Sequence, residues 1–275
     1  MDSLQKLRQD VGISLVGPDI SLRVLLGASL IHYQAPKHHP QAQQLFDDVL
    51  SKKPNSVEAL LGKGRVALEE GNLAGAIDFT ARALQLAHGN VEAKMEHAWA
   101  LVLNNDVQEG KSELQEALHL VDGKDARSRE LISEIWWRLG KCLWSEGLSS
   151  STLLVLMEEN DESRNKAYTA FVTSLKYNHN YAPAYTSLGI FYANVANDSE
   201  RAYRCFQKAF ELDAGEAEAA ERLAHDFADS RQWDLVEVVA HRFLQAARKR
   251  VSTKRELSWP HRALGVAKLV YCIFE

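Results

Sequence analysis

Cysteine, proline and long apolar runs are all scarce in this sequence. Its 275 residues include three cysteines and six prolines. Cys142, Cys205 and Cys272 form no CxxC pair, so we expect thiols packed as small apolar side chains in a reducing compartment. No apolar run reaches membrane-spanning length, and the first residues, MDSLQKLRQDVGIS, lack the apolar core of a signal peptide. These absences predict a cytoplasmic protein, with the nucleus as the alternative, and no membrane contact.

The sequence also lacks a large excess of positive or negative charge, and it lacks known catalytic motifs. The net charge is −5, which shows no overall bias toward nucleic acid. No GxGxxG, P-loop, HExxH or GxSxG motif occurs. The adjacent pair His38-His39 has no third metal ligand in view, and we interpret it as part of a solvated turn. We therefore predict a non-enzymatic protein without cofactor or metal.

One basic run stands apart from this balanced charge. It comprises Arg248, Lys249 and Arg250, followed by Lys254 and Arg255. The run is interpreted as a contact for RNA phosphates, as a nuclear signal, or as a solvated linker. No aromatic residue is interleaved with the charges, which favours the linker. Any RNA contact is accordingly expected to be indirect or weak.

Small residues recur at a fixed spacing along the chain. Four of them are followed 34 residues later by residues of similar role: Gly64, Gly71, Ala76 and Ala83 precede Ala98, Asn105, Gly110 and Ala117. This phasing is typical of the tetratricopeptide repeat (TPR), in which two antiparallel helices stack on the next pair. We therefore predict an all-α TPR α-solenoid, a right-handed superhelix of about six helix pairs plus an unpaired final helix.

The repeats form a single predicted array over residues 1–275. Unit four carries an insertion at 148–162, rich in serine and acidic residues, that we expect to be exposed. Unit five is one residue longer than the standard repeat. The unit bounds are about 20–56, 57–90, 91–124, 133–181, 182–216 and 217–253, with a half unit at 256–275.

The final helix is apolar on most sides, reading RALGVAKLVYCIF. A solenoid needs a polar cap where its stacking stops. Two interpretations stay open: the chain is a fragment of a longer array, or this helix docks on a partner or on a second copy.

A small residue at position 8 of a TPR lets its two helices approach closely. Gly189 takes this position in unit five, after Leu188. Gly189→Leu should overpack the contact. Gly189→Ala should be tolerated, because Ala is the better helix former.

Positions 2, 5, 9, 12 and 13 of the first helix in a TPR line its inner groove, and the candidates chosen below come from positions 5, 9 and 13. At these positions we predict a partner-binding groove, apolar and aromatic at its centre, which suits a bound peptide or helix. The candidates are Leu61, Arg65, Met95, Trp99, Trp137, Lys141, Thr186, Ile190, Asn194, Glu221 and His225. Packing between repeats is the alternative role for Met95 and Trp99, and core packing is the alternative for Trp137.

The segments KAYTAFVTSLKYNHNYAPAYTSLGIFYA, RCFQKAFELDAGEAEAAERLAHDFADSRQWDLVEVVA and SWPHRALG go beyond the general TPR pattern. They resemble the third superkiller protein family, the long TPR scaffolds of superkiller complexes. The resemblance implies a non-enzymatic scaffold that holds a DExH-box RNA helicase and WD40 propeller subunits. It also implies that the assembly feeds RNA to the cytoplasmic exosome for 3′-to-5′ decay.

Two other functions compete with the scaffold. A generic TPR peptide-binding adaptor of co-chaperone type would carry a basic clamp, but Leu61 and Arg65, then Met95 and Trp99, occupy the clamp positions. The TPR arm of an enzyme, such as a glycosyltransferase, would be followed by a catalytic domain.

Overall fold

A computed structural model describes residues 19–32, 36–149, 157–247 and 254–274. Within these ranges the chain forms thirteen α-helices and no strand, which confirms the all-α prediction. The helices are α1 (Ile20–His32), α2 (His39–Lys52), α3 (Val57–Glu69), α4 (Leu73–Leu86), α5 (Val91–Leu103), α6 (Val107–His119), α7 (Ala126–Ser149), α8 (Met157–Tyr177), α9 (Ala182–Asn194), α10 (Ser199–Leu212), α11 (Ala217–Asp229), α12 (Trp233–Ala247) and α13 (Lys254–Phe274).

Helix pairing follows the order of the chain. First and second helices of one repeat pack together as α1–α2, α3–α4, α7–α8, α9–α10 and α11–α12. First helices of successive repeats also meet, as α1–α3, α9–α11 and α11–α13. The first helices of neighbouring repeats therefore share one face, as in stacked helical hairpins.

The chain divides into two compact units, residues 1–100 and 101–275. Each has its own apolar core. The first is centred on Phe46, which packs with Ile31, Val49 and Val66. The largest cluster of the second unit includes buried aromatic side chains that each remove a large apolar area from water: Phe206, Phe210, Phe243 and Trp259.

Three repeats share the same structure in the turn between their two helices. Gly71 has φ of 74°. Its amide donates to the Leu68 carbonyl at 3.1 Å, and the Asn72 amide donates to the Ala67 carbonyl at 2.8 Å. These bonds form a Schellman motif, which ends a helix at a left-handed residue. The same bonds and a positive φ recur at Asn105 (75°) and Arg231 (58°).

Unit five has its extra residue in this turn. Asn197 is the left-handed residue there, with φ of 50°. The Asp198 amide donates to the Tyr192 carbonyl at 2.9 Å, one residue further back than in the other units. The Asp198 side chain then accepts from the Arg201 amide at 2.9 Å and caps α10. The extra residue of unit five therefore lies within the turn between its two helices.

In units one and five, the glycine at position 8 faces an aromatic ring of the second helix. A Cβ added to Gly27 would lie 2.7 Å from a Phe46 ring carbon, and one added to Gly189 would lie 2.5 Å from Phe206 Cε1. Carbon atoms do not approach so closely in packed interiors. The structure therefore argues against tolerance of Gly189→Ala, because the buried ring already fills the space of the added methyl.

Unit four differs from its predicted outline. α7 starts at Ala126 rather than near 133, because Leu131 and Ile132 are buried and continue the apolar face of the helix toward its N-terminus. Residues 157–162 of the predicted insertion are the start of α8. Residues 150–156 lie outside the described residues.

Two predictions concern short polar stretches. The His38-His39 pair is buried rather than solvated, with His39 only 1% exposed. Its Nε2 lies 3.2 Å from the Ile31 carbonyl oxygen, which ties the turn to the end of α1. In the basic run, Lys254 and Arg255 begin α13, whereas 248–250 lie outside the described residues.

Candidate functional site

The predicted groove residues of the first unit divide between interior and surface. Leu61 and Met95 are buried, at 5% and 1% exposure, so their side chains pack inside the unit. This corrects their assignment to a binding surface, and for Met95 the packing alternative describes its position. Trp99 is half-buried.

Arg65 occupies the surface of the first unit within an ion-pair cluster. Its Nη2 lies 3.2 Å from Glu92 Oε2, and its Nε lies 3.1 Å from Glu96 Oε1. Burial lowers the pKa of the guanidinium, but the two carboxylates outweigh this and raise it. Arg65 thus links α3 to α5, with its charge already compensated.

In the second unit Trp137 is a half-buried aromatic side chain held in one orientation. Its Nε1 donates to the Ser187 hydroxyl at 3.1 Å, which joins α7 to α9. Ser187 donates in turn to the Pro183 carbonyl at 2.9 Å. The Tyr181 ring packs edge-on against the indole, with centroids 5.8 Å apart and planes at 77°. Both polar and aromatic contacts therefore fix the ring.

Lys141 lies one helical turn beyond Trp137. Burial lowers the pKa of its ammonium, and this outweighs the raising effect of the Glu218 and Glu216 carboxylates. Among the described residues, neither carboxylate nor any other acceptor makes a hydrogen bond or ion pair with it. The Lys141 ammonium thus interacts with both carboxylates through space, without a direct bond to either.

The carboxylates near Lys141 already have other partners. The Thr186 hydroxyl donates to Glu216 Oε2 at 2.8 Å, and Arg222 Nε donates to Glu218 Oε1 at 2.9 Å. Thr186 is itself buried, at 8% exposure, so it supports Glu216 rather than lining a surface as predicted. These bonds hold both acidic groups beside α11.

The remaining candidates lie on α9 and α11. Ile190 and Glu221 are half-buried, whereas Asn194 and His225 are exposed. Ile190 also packs against the main apolar cluster of the second unit. We call the set Trp137, Lys141, Ile190 and Glu216 the Lys141 surface.

Sequence positions alone missed three residues that shape this surface: Tyr181, Ser187 and Glu216. Tyr181 and Glu216 precede the helices α9 and α11, outside the helical positions used for the prediction. Ser187 follows Thr186 directly, and its hydroxyl reaches the indole only because α7 and α9 pack together. No local pattern marks such contacts.

A cleft of about 890 Å³ lies elsewhere in the second unit, among α6, α7 and α8. Trp136 and Leu143 line it beside polar groups. Lys111 Nζ lies 2.8 Å from Glu146 Oε1, so this lysine has its counter-charge within the chain. In the described part of the chain, no cluster of three or more potential metal-ligating side chains occurs, and no helix is long and apolar enough to cross a membrane.

Comparison with known proteins identifies the repeat and a set of relatives. A family model described as tetratricopeptide repeat matches residues 31–91. Superkiller protein 3 of Schizosaccharomyces pombe is 34% identical over 98% of this chain and 18% of its own length. Superkiller protein 3 of Saccharomyces cerevisiae is 26% identical over 95% of this chain and 18% of its own. The chain thus spans under a fifth of the length of these relatives.

A solved structure supports the fold independently. The pilF protein of Pseudomonas aeruginosa superposes with a TM-score of 0.55, covering 86% of this chain and 94% of its own, at 17% identity. At that identity the likeness concerns the fold alone. The predicted TPR solenoid is confirmed by the helices, the family model and this neighbour together. The chain is therefore a tetratricopeptide repeat protein similar to superkiller protein 3 along nearly its whole length.

Proposed function

We propose that this chain is a non-enzymatic protein-interaction scaffold that acts within a superkiller complex in the cytoplasm. In this role it helps to hold a DExH-box RNA helicase and WD40 propeller subunits, and the assembly assists 3′-to-5′ mRNA decay by the exosome. The observation that carries the proposal is 34% identity over 98% of the chain to superkiller protein 3.

The second unit supports a binding role by its surface chemistry. Trp137 is fixed by Ser187 and Tyr181, so its ring would lose little conformational freedom on contact with a partner. Half-buried tryptophan is also among the side chains that most often dominate binding energy at interfaces. A rigid repeat face with such an anchor suits a scaffold.

Purification of this protein, tagged, from its own cells tests the proposal. We expect a DExH-box helicase and a WD40 protein to copurify in amounts comparable to the bait. Recovery of neither subunit under conditions that preserve other complexes would refute the scaffold role.

A matched pair of variants tests whether the Trp137 face takes part. Trp137→Ala removes the fixed ring, whereas Trp136→Ala removes the neighbouring tryptophan that lines the separate cleft. We expect the first change to reduce recovery of at least one subunit and the second to leave it unchanged, with both variants checked by circular dichroism. Equal recovery in both would refute the assignment of this face while leaving the scaffold role intact.

A further inference from the structure

Partly exposed aromatic rings cluster where α7, α8 and α9 meet. Phe191 lies at their centre and is buried. Three half-buried rings surround it, with centroids at 6.4 Å for Trp144, 4.8 Å for Tyr168 and 6.0 Å for Tyr192. The two tyrosine rings also pack edge-on against each other at 6.0 Å, and the Arg201 guanidinium lies 5.7 Å from the Tyr192 centroid. These contacts hold the rings in place, so a ligand would meet a preformed surface.

Trp137 extends this cluster along α7. Trp137 and Trp144 are seven residues apart, which is close to two helical turns and places them on one face about 10 Å apart. Both indoles contact α9, Trp137 through Ser187 and Trp144 through Phe191. Tyr181 packs edge-on against the first indole. We call the following set the aromatic stripe: Trp137, Trp144, Tyr168, Tyr181 and Tyr192.

Two hydrogen-bond donors of the aromatic stripe are unused within the described residues. Trp144 Nε1 makes no hydrogen bond there and is not buried, and an indole N–H can only donate. The Tyr168 and Tyr192 hydroxyl oxygens lie 3.2 Å apart, so one hydroxyl donates to the other and the second keeps a proton to donate. A ligand that complements the stripe therefore presents hydrogen-bond acceptors beside apolar surface.

The charges near the aromatic stripe are already balanced. Lys141 lies within electrostatic reach of the Glu216 and Glu218 carboxylates. Arg201 Nε lies 3.2 Å from Asp198 Oδ2. The surface therefore has no excess of cations to attract an RNA backbone or an acidic peptide. Neutral carbonyl oxygens are the acceptors that fit it.

A polyproline II helix has the required chemistry and the required spacing. Its carbonyls form no internal hydrogen bonds, and its prolines supply apolar rings without an N–H donor. It rises about 3.1 Å per residue with three residues per turn, so prolines three residues apart lie about 9 Å apart on one face. This distance matches the two-turn separation of Trp137 and Trp144 on α7. Aromatic-lined grooves are a common way to bind proline-rich segments.

We propose that the aromatic stripe binds a proline-rich segment of a partner protein in the polyproline II conformation. One proline packs on Trp137 beside Tyr181, and the proline three residues away packs on Trp144 beside Tyr168. Carbonyl oxygens of the segment accept from Trp144 Nε1 and from the tyrosine hydroxyl that keeps its proton. The inference rests on the proposed scaffold function, because it names the kind of segment that the scaffold holds.

Two labelled peptides of identical composition test the proposal on the purified 275-residue chain. The regular peptide, SPSSPSSPS, has its prolines three residues apart, whereas its twin, SPSPSSSPS, has no pair of prolines at that spacing. Fluorescence anisotropy measures the affinity of each. We expect the regular peptide to bind at least about fivefold more tightly, because its twin cannot place neighbouring prolines on both indoles at once.

Variants of the stripe connect this preference to its rings and donors. Trp144→Leu removes one ring and its N–H, so the preference for the regular peptide should be lost. Trp136→Leu is the matched control, because Trp136 lies on the same helix but lines the separate cleft, and it should leave the preference unchanged. Trp144→Phe should retain the preference at lower affinity, and it is the second variant if circular dichroism shows that Trp144→Leu does not fold. Combining Tyr168→Phe with Tyr192→Phe removes both hydroxyls and should weaken binding while the rings stay in place.

Three results would overturn the proposal. They are equal affinity for the two peptides, no binding of the regular peptide at about 1 mM, where affinity would be too weak for specific recognition, and a preference that survives in Trp144→Leu. Competition by an oligouridine that depends on Trp144 would instead assign the stripe to single-stranded RNA, whose bases also stack on aromatic rings. Absence of the helicase and the WD40 protein from the cell purification refutes the scaffold role and leaves the peptide result unaffected, so the two failures are distinguishable.

Discussion

Gly189→Ala is the substitution whose effect the structure most clearly reverses. In an isolated helix the change is favourable, since Gly costs about 1 kcal/mol relative to Ala in a helix interior. In this structure the new Cβ would lie 2.5 Å from Phe206 Cε1 and 2.7 Å from Phe206 Cδ1. Phe206 is only 2% exposed, so its ring cannot swing into solvent. Either the ring or helix α9 must shift.

The magnitude follows from two opposing terms. Inserting a methyl into a well-packed core typically costs about 1–3 kcal/mol, and the gain in helix propensity offsets about 1 kcal/mol of this. We expect Gly189→Ala to lower the free energy of unfolding by up to about 2 kcal/mol. The measurement is urea denaturation followed by far-ultraviolet circular dichroism.

Two further variants separate packing from propensity. Gly265 holds the same repeat position in α13, and a Cβ added to it would meet no atom of the described residues within 4 Å; Gly265→Ala should therefore stabilise by up to about 1 kcal/mol. Phe206→Leu removes the outer ring atoms, so adding Gly189→Ala to that variant should cost less than about 0.5 kcal/mol. If Gly189→Ala stabilised the chain as Gly265→Ala does, the packing argument would be refuted.

Three other changes test the turns, the thiols and the ion-pair cluster. Arg231→Gly should stabilise by about 1 kcal/mol in urea denaturation, because φ of 58° strains a side-chain-bearing residue. Burial raises the pKa of Cys142 and Cys205 from 9.0 to about 11, so at pH 8 their thiolate fraction, and their labelling rate by a thiol reagent, should be about 100-fold lower than for an ordinary cysteine. Arg65→Met should destabilise by about 1–2 kcal/mol, because Glu96 is only 6% exposed and loses its guanidinium.

Each of these has a control and an opposing outcome. Gly71→Ala should destabilise the protein, although it lies at the same turn position where Arg231→Gly stabilises it. If both substitutions changed the stability in the same direction, the role of φ would be contradicted. Thiol labelling is measured in Cys272→Ser, and rapid labelling of the folded protein at pH 8 would show that burial does not suppress the thiolates. Arg82→Met is the control for the ion-pair cluster, because it removes a cation from an exposed pair with Asp78. It should lower the free energy of unfolding by under about 0.5 kcal/mol. If Arg65→Met lowered the free energy of unfolding by no more than Arg82→Met does, the importance of burial would be contradicted.

Much of the helical architecture could be predicted from local pattern. Spacing of small and large residues determines which face of each helix is apolar, and this periodicity is a property of neighbouring residues. It placed Gly189 correctly against a second helix, and it placed the extra residue in unit five, which the structure finds at Asn197. It did not find the early start of α7, because Leu131 and Ile132 precede the recognisable repeat.

The candidate site was less predictable, because exposure depends on how helices pack. Leu61, Met95 and Thr186 hold the same repeat position as the half-buried Trp137, yet they are buried. A repeat position specifies a direction on one helix, whereas burial depends on the size of the neighbouring side chains. Position alone therefore identifies a face but not the side chains that reach its surface.

By itself the sequence determined the repeat, the helix pairs and the small residues that permit close packing, because these depend on spacing along one helix or one hairpin. Only the tertiary structure decided that Trp137 bonds to Ser187, 50 residues away, and that the carboxylates near Lys141 are bonded elsewhere. Such contacts depend on the rotation and separation of helices from different repeats. For this reason the position of the Lys141 ammonium beside two carboxylates is a property of the fold.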